Sequence, residues 1–257
     1  MMRKLFIAGN WKMNLDEANA VALAGDIRAK ISGKPVFNKV DVAVCPAFVH
    51  LPAVGKILSN CKIQVGAQNV YFEPGGAFTG EISVPMLKDV GCRYVIIGHS
   101  ERRHVMGEND ELINRKLLAV LSGGLEAILC IGELLSEREM DQTENVVERQ
   151  LHKGLMGVST ADMSQVTIAY EPVWAIGTGK TASPAQAQEA HAFTRKIIAD
   201  IFNESVAHRI RIQYGGSVKP ENAAELLGQK DVDGALVGGA GLKADSFVGI
   251  ITAGLAG

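Results

Sequence analysis

Short apolar runs rich in Val and Ile alternate along the chain with longer segments whose apolar residues recur every three or four positions. The runs are Leu5 to Gly9, Val40 to Cys45, Ile63 to Ala67, Tyr94 to Gly98, Ala127 to Ile131, Val166 to Tyr170, Ile210 to Tyr214 and Ala235 to Val237. Continuous apolarity over four to six residues predicts strands buried on both faces. The segments Asp16 to Ala29, Asn109 to Leu121, Glu137 to Leu151, Ala185 to Ile201 and Glu221 to Leu227 have the period of helices. Ser183 before Pro184 predicts a helix start, with serine as N-cap and proline at the first helical position.

Strands separated by crossover helices imply a parallel sheet, and eight such units suffice to close a (β/α)8 barrel. An open doubly wound sheet is the competing architecture, but it would gather its polar and glycine-rich residues at one switch point. Here such clusters follow many of the strands, and no G-x-G-x-x-G follows the first. The expectation is therefore an α/β chain folded as one (β/α)8-barrel domain over residues 1–257, without any Pro/Ser-rich linker.

Composition narrows the partners. Of 257 residues 47% are hydrophobic and 21% charged, enough to bury a sizeable core. With 26 Lys and Arg against 28 Asp and Glu the net charge is −2, which supplies no motive for binding nucleic acid. Cys45, Cys61, Cys92 and Cys130 form no C-x-x-C pair and read as buried free thiols. No stretch has the length of a signal-peptide core or a membrane span, so a cytoplasmic protein with no membrane partner is the expectation.

In a barrel the residues just past each strand assemble the active site. Those positions hold Asn10-Trp11-Lys12, His99-Ser100-Glu101, Glu171-Pro172, Gly215-Gly216-Ser217 and Gly238-Gly239. Lys12 could neutralise a phosphate and stabilise a developing enolate oxygen, with Asn10 donating beside it. A lysine with its ammonium in water is the plainer reading of that residue alone. His99 could be a hydrogen-bonded core histidine. If Ser100-Glu101-Arg102-Arg103 opens a short helix, its dipole would lower the imidazole pKa and keep the ring neutral, as a donor to substrate oxygen. Glu101 is expected in a supporting role, holding Lys12. Glu171 precedes Pro172, Val173, Trp174, Ala175, Ile176, Gly177, Thr178, Gly179 and Lys180, which read as a lid whose apolar residues would exclude water, or as an ordinary packed βα loop. The glycine pairs can bring bare backbone N–H groups to a phosphate, although glycines also serve tight turns.

No group of His, Cys, Asp and Glu has metal-ligand spacing, and no Walker A or dinucleotide fingerprint occurs, so chemistry without a metal or cofactor is expected. A lysine, a neutral histidine and a carboxylate suit proton transfer at carbon beside a carbonyl. Two other classes compete. A Schiff-base aldolase of phosphorylated sugars would use Lys12 as nucleophile and be trapped by borohydride; a non-catalytic phosphate-binding barrel would gain nothing from a carboxylate near an anion.

Taken in order, Asn10-Trp11-Lys12, Ala67-Gln68-Asn69, Gly98 to Arg103, Ala169 to Lys180, Tyr214 to Ser217 and Val237 to Gly239 resemble the hallmarks of the triosephosphate isomerase family along essentially the whole chain. The resemblance implies cofactor-free interconversion of dihydroxyacetone phosphate and D-glyceraldehyde 3-phosphate, a step of glycolysis and gluconeogenesis, on a TIM barrel. It implies Glu171 as the base, His99 as the neutral electrophile, Lys12 as the substrate-binding cation and Asn10 as an aid to the oxyanion. It further implies that Pro172 to Lys180 close over the site, with Gly177 and Ser217 donating to the phosphate beside Gly238 and Gly239. Ile176 and Leu236 would clamp over Glu171, Tyr214 and Ser217 would latch the closed lid, and Glu133 would hold Trp174 in the open form. Glu73 to Gly80 resembles the loop by which each subunit of the family's homodimer enters its neighbour, placing Thr79 near the partner's site and covering Phe78. Three departures stand out: Gly241 where serine is common, Met106 for a frequent phenylalanine, and Gln213 in place of an aliphatic residue, the last two implying softer packing.

Overall fold

A computed structural model of the chain describes residues 3–175 and 181–255. Eight parallel strands close into a barrel in sequence order: β1 (Leu5–Asn10), β2 (Val40–Cys45), β3 (Ile63–Ala67), β4 (Tyr94–Ile97), β5 (Glu126–Ile131), β6 (Val166–Tyr170), β7 (Arg211–Tyr214) and β8 (Gly234–Val237). The ring is completed where β1 pairs with β8 in the register Phe6↔Gly234 through Gly9↔Val237. The eight predicted strands and the barrel are all present, with ends moved by one residue at most.

Alternation along each strand divides the apolar residues into two layers. Phe6, Ala8, Ala43, Cys45, Tyr94, Ile96, Ile128, Cys130, Ala169 and Leu236 fill the barrel interior. Their neighbours Ile7, Val42, Val44, Val95, Ile97, Leu129 and Ile168 pack outward against the helices. Both faces are covered, so the runs are largely apolar, with polar exceptions such as Asp41, Gln64, Thr167, Arg211 and Gln213. Gln213 is fully buried between two residues of the outer layer and so faces inward; its Nε2 donates to the Phe6 carbonyl at 3.0 Å. Cys45, Cys92 and Cys130 are buried free thiols, whereas Cys61 is only half-buried.

The predicted helix over 137–151 is two: Leu135–Glu139 and Thr143–Gly154. Asp141 between them has φ +56°, a left-handed conformation that an aspartate tolerates but a helix interior does not. The predicted cap at Ser183 is present. Its hydroxyl accepts from Gln186 N while Gln186 Oε1 accepts from Ser183 N, a reciprocal pair at the start of the helix Pro184–Ile201.

That helix is tied to the end of the barrel by Arg195. The guanidinium bonds Asp231 at 2.7 Å and Asp233 at 2.6 Å and also donates to the carbonyls of Ala207 and Ile210. One turn earlier, His191 is completely buried, with Nδ1 facing the Asp231 carbonyl and no partner for Nε2 among the described residues. Burial pushes its pKa down to about 4. The unfolded chain therefore takes up a proton near pH 6.5 that the folded chain refuses until about pH 4, so stability falls as pH drops between these values. A loss of about 3 kcal/mol is expected across that window from this residue. Urea unfolding of the parent and His191→Gln at several pH values checks it: the variant should show a shallower acid slope, and equal slopes would dismiss the effect.

Candidate active site

The ends of five strands meet at a cavity of about 290 Å³ lined by Asn10, Lys12, His99, Glu171, Gly215 to Lys219, Leu236 and Gly238 to Ala240. The sequence-based candidates Asn10, Lys12, His99, Glu171, Ser217, Leu236, Gly238 and Gly239 are thus brought together. Ile176, Gly177, Thr178, Gly179 and Lys180 lie outside the described residues.

Glu171 is the first residue past β6, where its N–H donates to the Ile131 carbonyl at 2.7 Å. Two glycines clear the space it occupies. A Cβ on Gly132, which has φ +153°, would fall 1.8 Å from the Glu171 carbonyl oxygen, and one on Gly215 would fall 2.7 Å from Glu171 Cγ. The carboxylate is 2% exposed and held from two sides: Ser100 N donates to Oε2 at 2.9 Å, and His99 Nε2 lies 3.0 Å from Oε1.

His99 is the N-cap of the short helix Ser100–His104, and its Nδ1 accepts from Glu101 N at 3.2 Å. An accepting Nδ1 leaves the proton on Nε2, which is the atom that faces Glu171. Beneath this loop, Arg103 donates to the carbonyls of Gly98 and Cys130 and pairs with Asp110, fixing the turn that presents the imidazole.

The expected lowering of the His99 pKa is corrected here. Burial does pull it down, but the Glu171 carboxylate against Nε2 outweighs burial, and the net shift is upward. Glu171 shows the counterpart: burial raises its pKa, yet His99, the Ser100 N–H and Lys12 together leave it below the usual range. The two groups hold each other in this geometry, and the helix start is the weaker influence.

Lys12 adopts φ +53°, uncommon for a side-chain-bearing residue. Both its backbone groups are secured: Asn10 Oδ1 accepts from Lys12 N at 3.0 Å, and Gln68 Nε2 donates to the Lys12 carbonyl at 2.8 Å and to Cys45 O at 2.9 Å. Lys12 Nζ pairs with Glu101 Oε1 at 2.6 Å, the supporting contact expected for Glu101. Gln68 holds a backbone rather than projecting into the cavity, and the sequence assigns it no role; its signals are its place directly after β3 and its membership of the hallmark Ala67-Gln68-Asn69.

The segment after Glu171 is anchored where the structure describes it. Val173–Ala175 form a 3-10 turn, Val173 N donates to the Glu133 carbonyl, and Trp174 Nε1 donates to Glu133 Oε1 at 3.0 Å, the partnership expected of Glu133. Tyr170 Oη donates to the same carboxylate, and Arg138 lies over the Trp174 ring. On the far side, Ala182 N donates to Tyr214 Oη at 3.3 Å. Phe78 stacks on Tyr71 with ring centroids 4.8 Å apart and remains 40% exposed, next to the exposed Thr79.

Of the three departures, Met106 is 64% exposed, so no softened packing arises there. Gly241 is buried but tolerates a side chain: an added Cβ would meet Gly9, Phe247 and Trp11 at 3.6 to 3.9 Å, ordinary contact distances. The indole Nε1 of the buried Trp11 has no hydrogen-bond partner among the described residues, and the nearest Trp11 atom to that Cβ is Cδ1, bonded to Nε1. Gly241→Ser should therefore offer the indole an acceptor and reduce the conformational freedom of the unfolded chain, together worth about 1 to 2 kcal/mol. Calorimetry should show Tm rising by about 2 to 6 °C; an unchanged or lower Tm would refute the gain.

A family model described as triosephosphate isomerase matches residues 5–254. The chain is 55% identical to the triosephosphate isomerase of Syntrophotalea carbinolica, with 97% of this chain and 98% of that one covered. Over the same shares it is 54% identical to the triosephosphate isomerase of Carboxydothermus hydrogenoformans and 52% identical to that of Chloroherpeton thalassium.

Proposed function

The chain belongs to the triosephosphate isomerase family, and from that premise we propose that its cavity interconverts D-glyceraldehyde 3-phosphate and dihydroxyacetone phosphate with Glu171 as the base. The observation that carries this reading is the meeting of Glu171, His99 and Lys12 at one cavity, a carboxylate beside a ring N–H and an ammonium.

The phosphate lies against the glycine rim, where Gly215 to Ser217 and Gly238 to Gly239 let backbone N–H groups approach. The triose carbons then reach toward β4 and β6. Glu171 removes the proton from the hydroxyl-bearing carbon, and the electron pair of that C–H bond moves through the carbon framework onto the neighbouring carbonyl oxygen. His99 Nε2–H and the Lys12 ammonium stabilise the enediolate oxygen, and Asn10, whose Oδ1 is taken by Lys12 N, donates from Nδ2. His99 Nε2–H protonates the former carbonyl oxygen and the ring recovers the proton of the other hydroxyl, while Glu171 returns its proton to the former carbonyl carbon as the electron pair on the second oxygen forms the new C=O, so the exchange balances without an oxidant.

In the ligand-free geometry Glu171 occupies His99 itself. Substrate oxygen takes its place at Nε2 and frees the carboxylate for carbon. Once the carboxylate leaves, the influence that raises the His99 pKa leaves with it, and burial keeps the ring neutral. The Lys12 ammonium donates to Glu101 and presents no lone pair, which disfavours a Schiff-base route.

The lid reading extends from the anchored Pro172–Ala175 segment through residue 180, closing over Glu171 so that the enediolate does not eliminate phosphate. The assembly we propose is a homodimer. Met13, Val49, Phe78, Val105 and Met106 are exposed apolar residues in the loops after β1 to β4, one sector of the barrel rim, and an apolar sector of that kind is a surface suited to a second copy. Among the described residues no helix is long and apolar enough to cross a membrane, in keeping with a cytoplasmic enzyme. The test of the activity is conversion of D-glyceraldehyde 3-phosphate by purified protein in a chelator, run in deuterated water. Metal-independent turnover with solvent deuterium appearing on the carbon beside the carbonyl is expected; a folded protein without turnover would overturn the reading.

A further inference from the structure

Lys219 also lines the cavity, two residues past Ser217 of the glycine rim, and no part of the reading above uses it. Its backbone is held by a staple: Asn222 Oδ1 accepts from Lys219 N at 2.8 Å while Asn222 Nδ2 donates to the Ser217 carbonyl at 3.2 Å. The turn from Ser217 to Lys219 is thereby closed onto the helix Pro220–Leu227, with Lys219 among the residues that line the cavity.

The charges around the cavity are unequally committed. Lys12 is already paired with Glu101 at 2.6 Å, and Glu171 is enclosed by His99 and Ser100. The Lys219 side chain is exposed and joins no ion pair among the described residues. The chain as a whole carries a net charge of −2, so a phosphate dianion gains nothing from the overall field and must be drawn by local charge. An uncommitted ammonium on a flexible four-carbon stem at the phosphate end of the cavity answers that need.

We propose that Lys219 is a substrate-binding residue that attracts the phosphate dianion to the cavity and pairs with it at the rim. The proposal rests on the triose phosphate reading of the same site. Its signature is electrostatic: exposed charges act over a screening length of about 10 Å at 0.1 M salt, so the contribution shrinks as salt is added.

The experiment compares the parent, Lys219→Gln and Lys219→Arg. It measures kcat/KM for D-glyceraldehyde 3-phosphate from about 10 mM to 1 M ionic strength, a range over which the screening length falls from about 30 to 3 Å. Competition by inorganic phosphate is measured in parallel. Lys219→Gln should lower kcat/KM about tenfold at the lowest salt, mainly through KM, raise the phosphate inhibition constant by a similar factor, and flatten the salt dependence until it meets the parent curve. Lys219→Arg should restore most of the slope. A Gln variant whose curve runs parallel to the parent's, or an Arg variant as impaired as Gln, would overturn the proposal, the latter by showing that the stem serves only the turn. A parent that fails to turn over the triose phosphate would overturn the functional reading and this inference with it, a result distinct from an active parent with insensitive variants.

Discussion

Glu171→Asp is expected to lower kcat about 100-fold or more while KM changes only a few-fold. Glu171 starts from the end of β6, in a slot opened by Gly132 and Gly215, and its reach to the cavity is set by its two methylenes. Removing one withdraws the carboxylate by about 1 Å, a displacement sufficient to cost about 100-fold in a proton transfer that depends on a short approach. The glycine backbone proposed to hold the phosphate is unchanged by the substitution, so ground-state binding should be retained. The shortened side chain also loses its contacts with Ser100 N and His99 Nε2. Because Glu171 helps to raise the His99 pKa, that pKa should fall in the free variant. Steady-state kinetics, with circular dichroism to verify folding, separates these effects. Unchanged kcat would remove Glu171 from the chemistry, and a loss confined to KM would make it a binding group.

The barrel was legible because both faces of every strand are covered, so each strand appears as a short, mainly apolar run. The catalytic candidates were legible for a related reason: a polar residue directly after such a run, as Glu171 follows Tyr170, has been carried to the barrel mouth by the strand itself. What escaped depends on contacts between distant loops. Gln68 acts on the carbonyl of Lys12, 56 positions away, and nothing in either residue's neighbourhood announces it. The direction of the His99 shift was misjudged because the dominant charge is Glu171, which sequence places in another repeat and the fold places 3.0 Å from Nε2. The broken helix around Asp141 was missed because its apolar period continues across the break; the left-handed residue is a backbone event that periodicity does not register. Glu133 was identified through family resemblance alone, and the structure supplies its physics: one carboxylate receives Tyr170, Trp174 and Arg138.

Lys12→Met is expected to impair both steps, raising KM and lowering kcat, with a combined loss in kcat/KM of about 1,000-fold or more. In the proposed mechanism the Lys12 charge meets the phosphate in the ground state and the enediolate oxygen in the transition state, so it should act before and during the reaction. Methionine keeps much of the stem's bulk and must adopt the same φ of +53°, held by Asn10 and Gln68, so the loop should keep its course. Glu101, half exposed, loses its partner to water rather than to a buried void. The pH profile provides an independent readout. Lys12 helps to lower the Glu171 pKa and also acts to lower that of His99, so its removal should move both upward. The acid limb of kcat/KM, which requires an ionised Glu171, should accordingly shift to higher pH, the direction opposite to that produced by adding a positive charge to the site. Inhibition by inorganic phosphate completes the measurement: its affinity should fall together with kcat/KM. Near-parental phosphate affinity would confine Lys12 to the chemical step, and an unmoved acid limb would show that its charge does not reach the base.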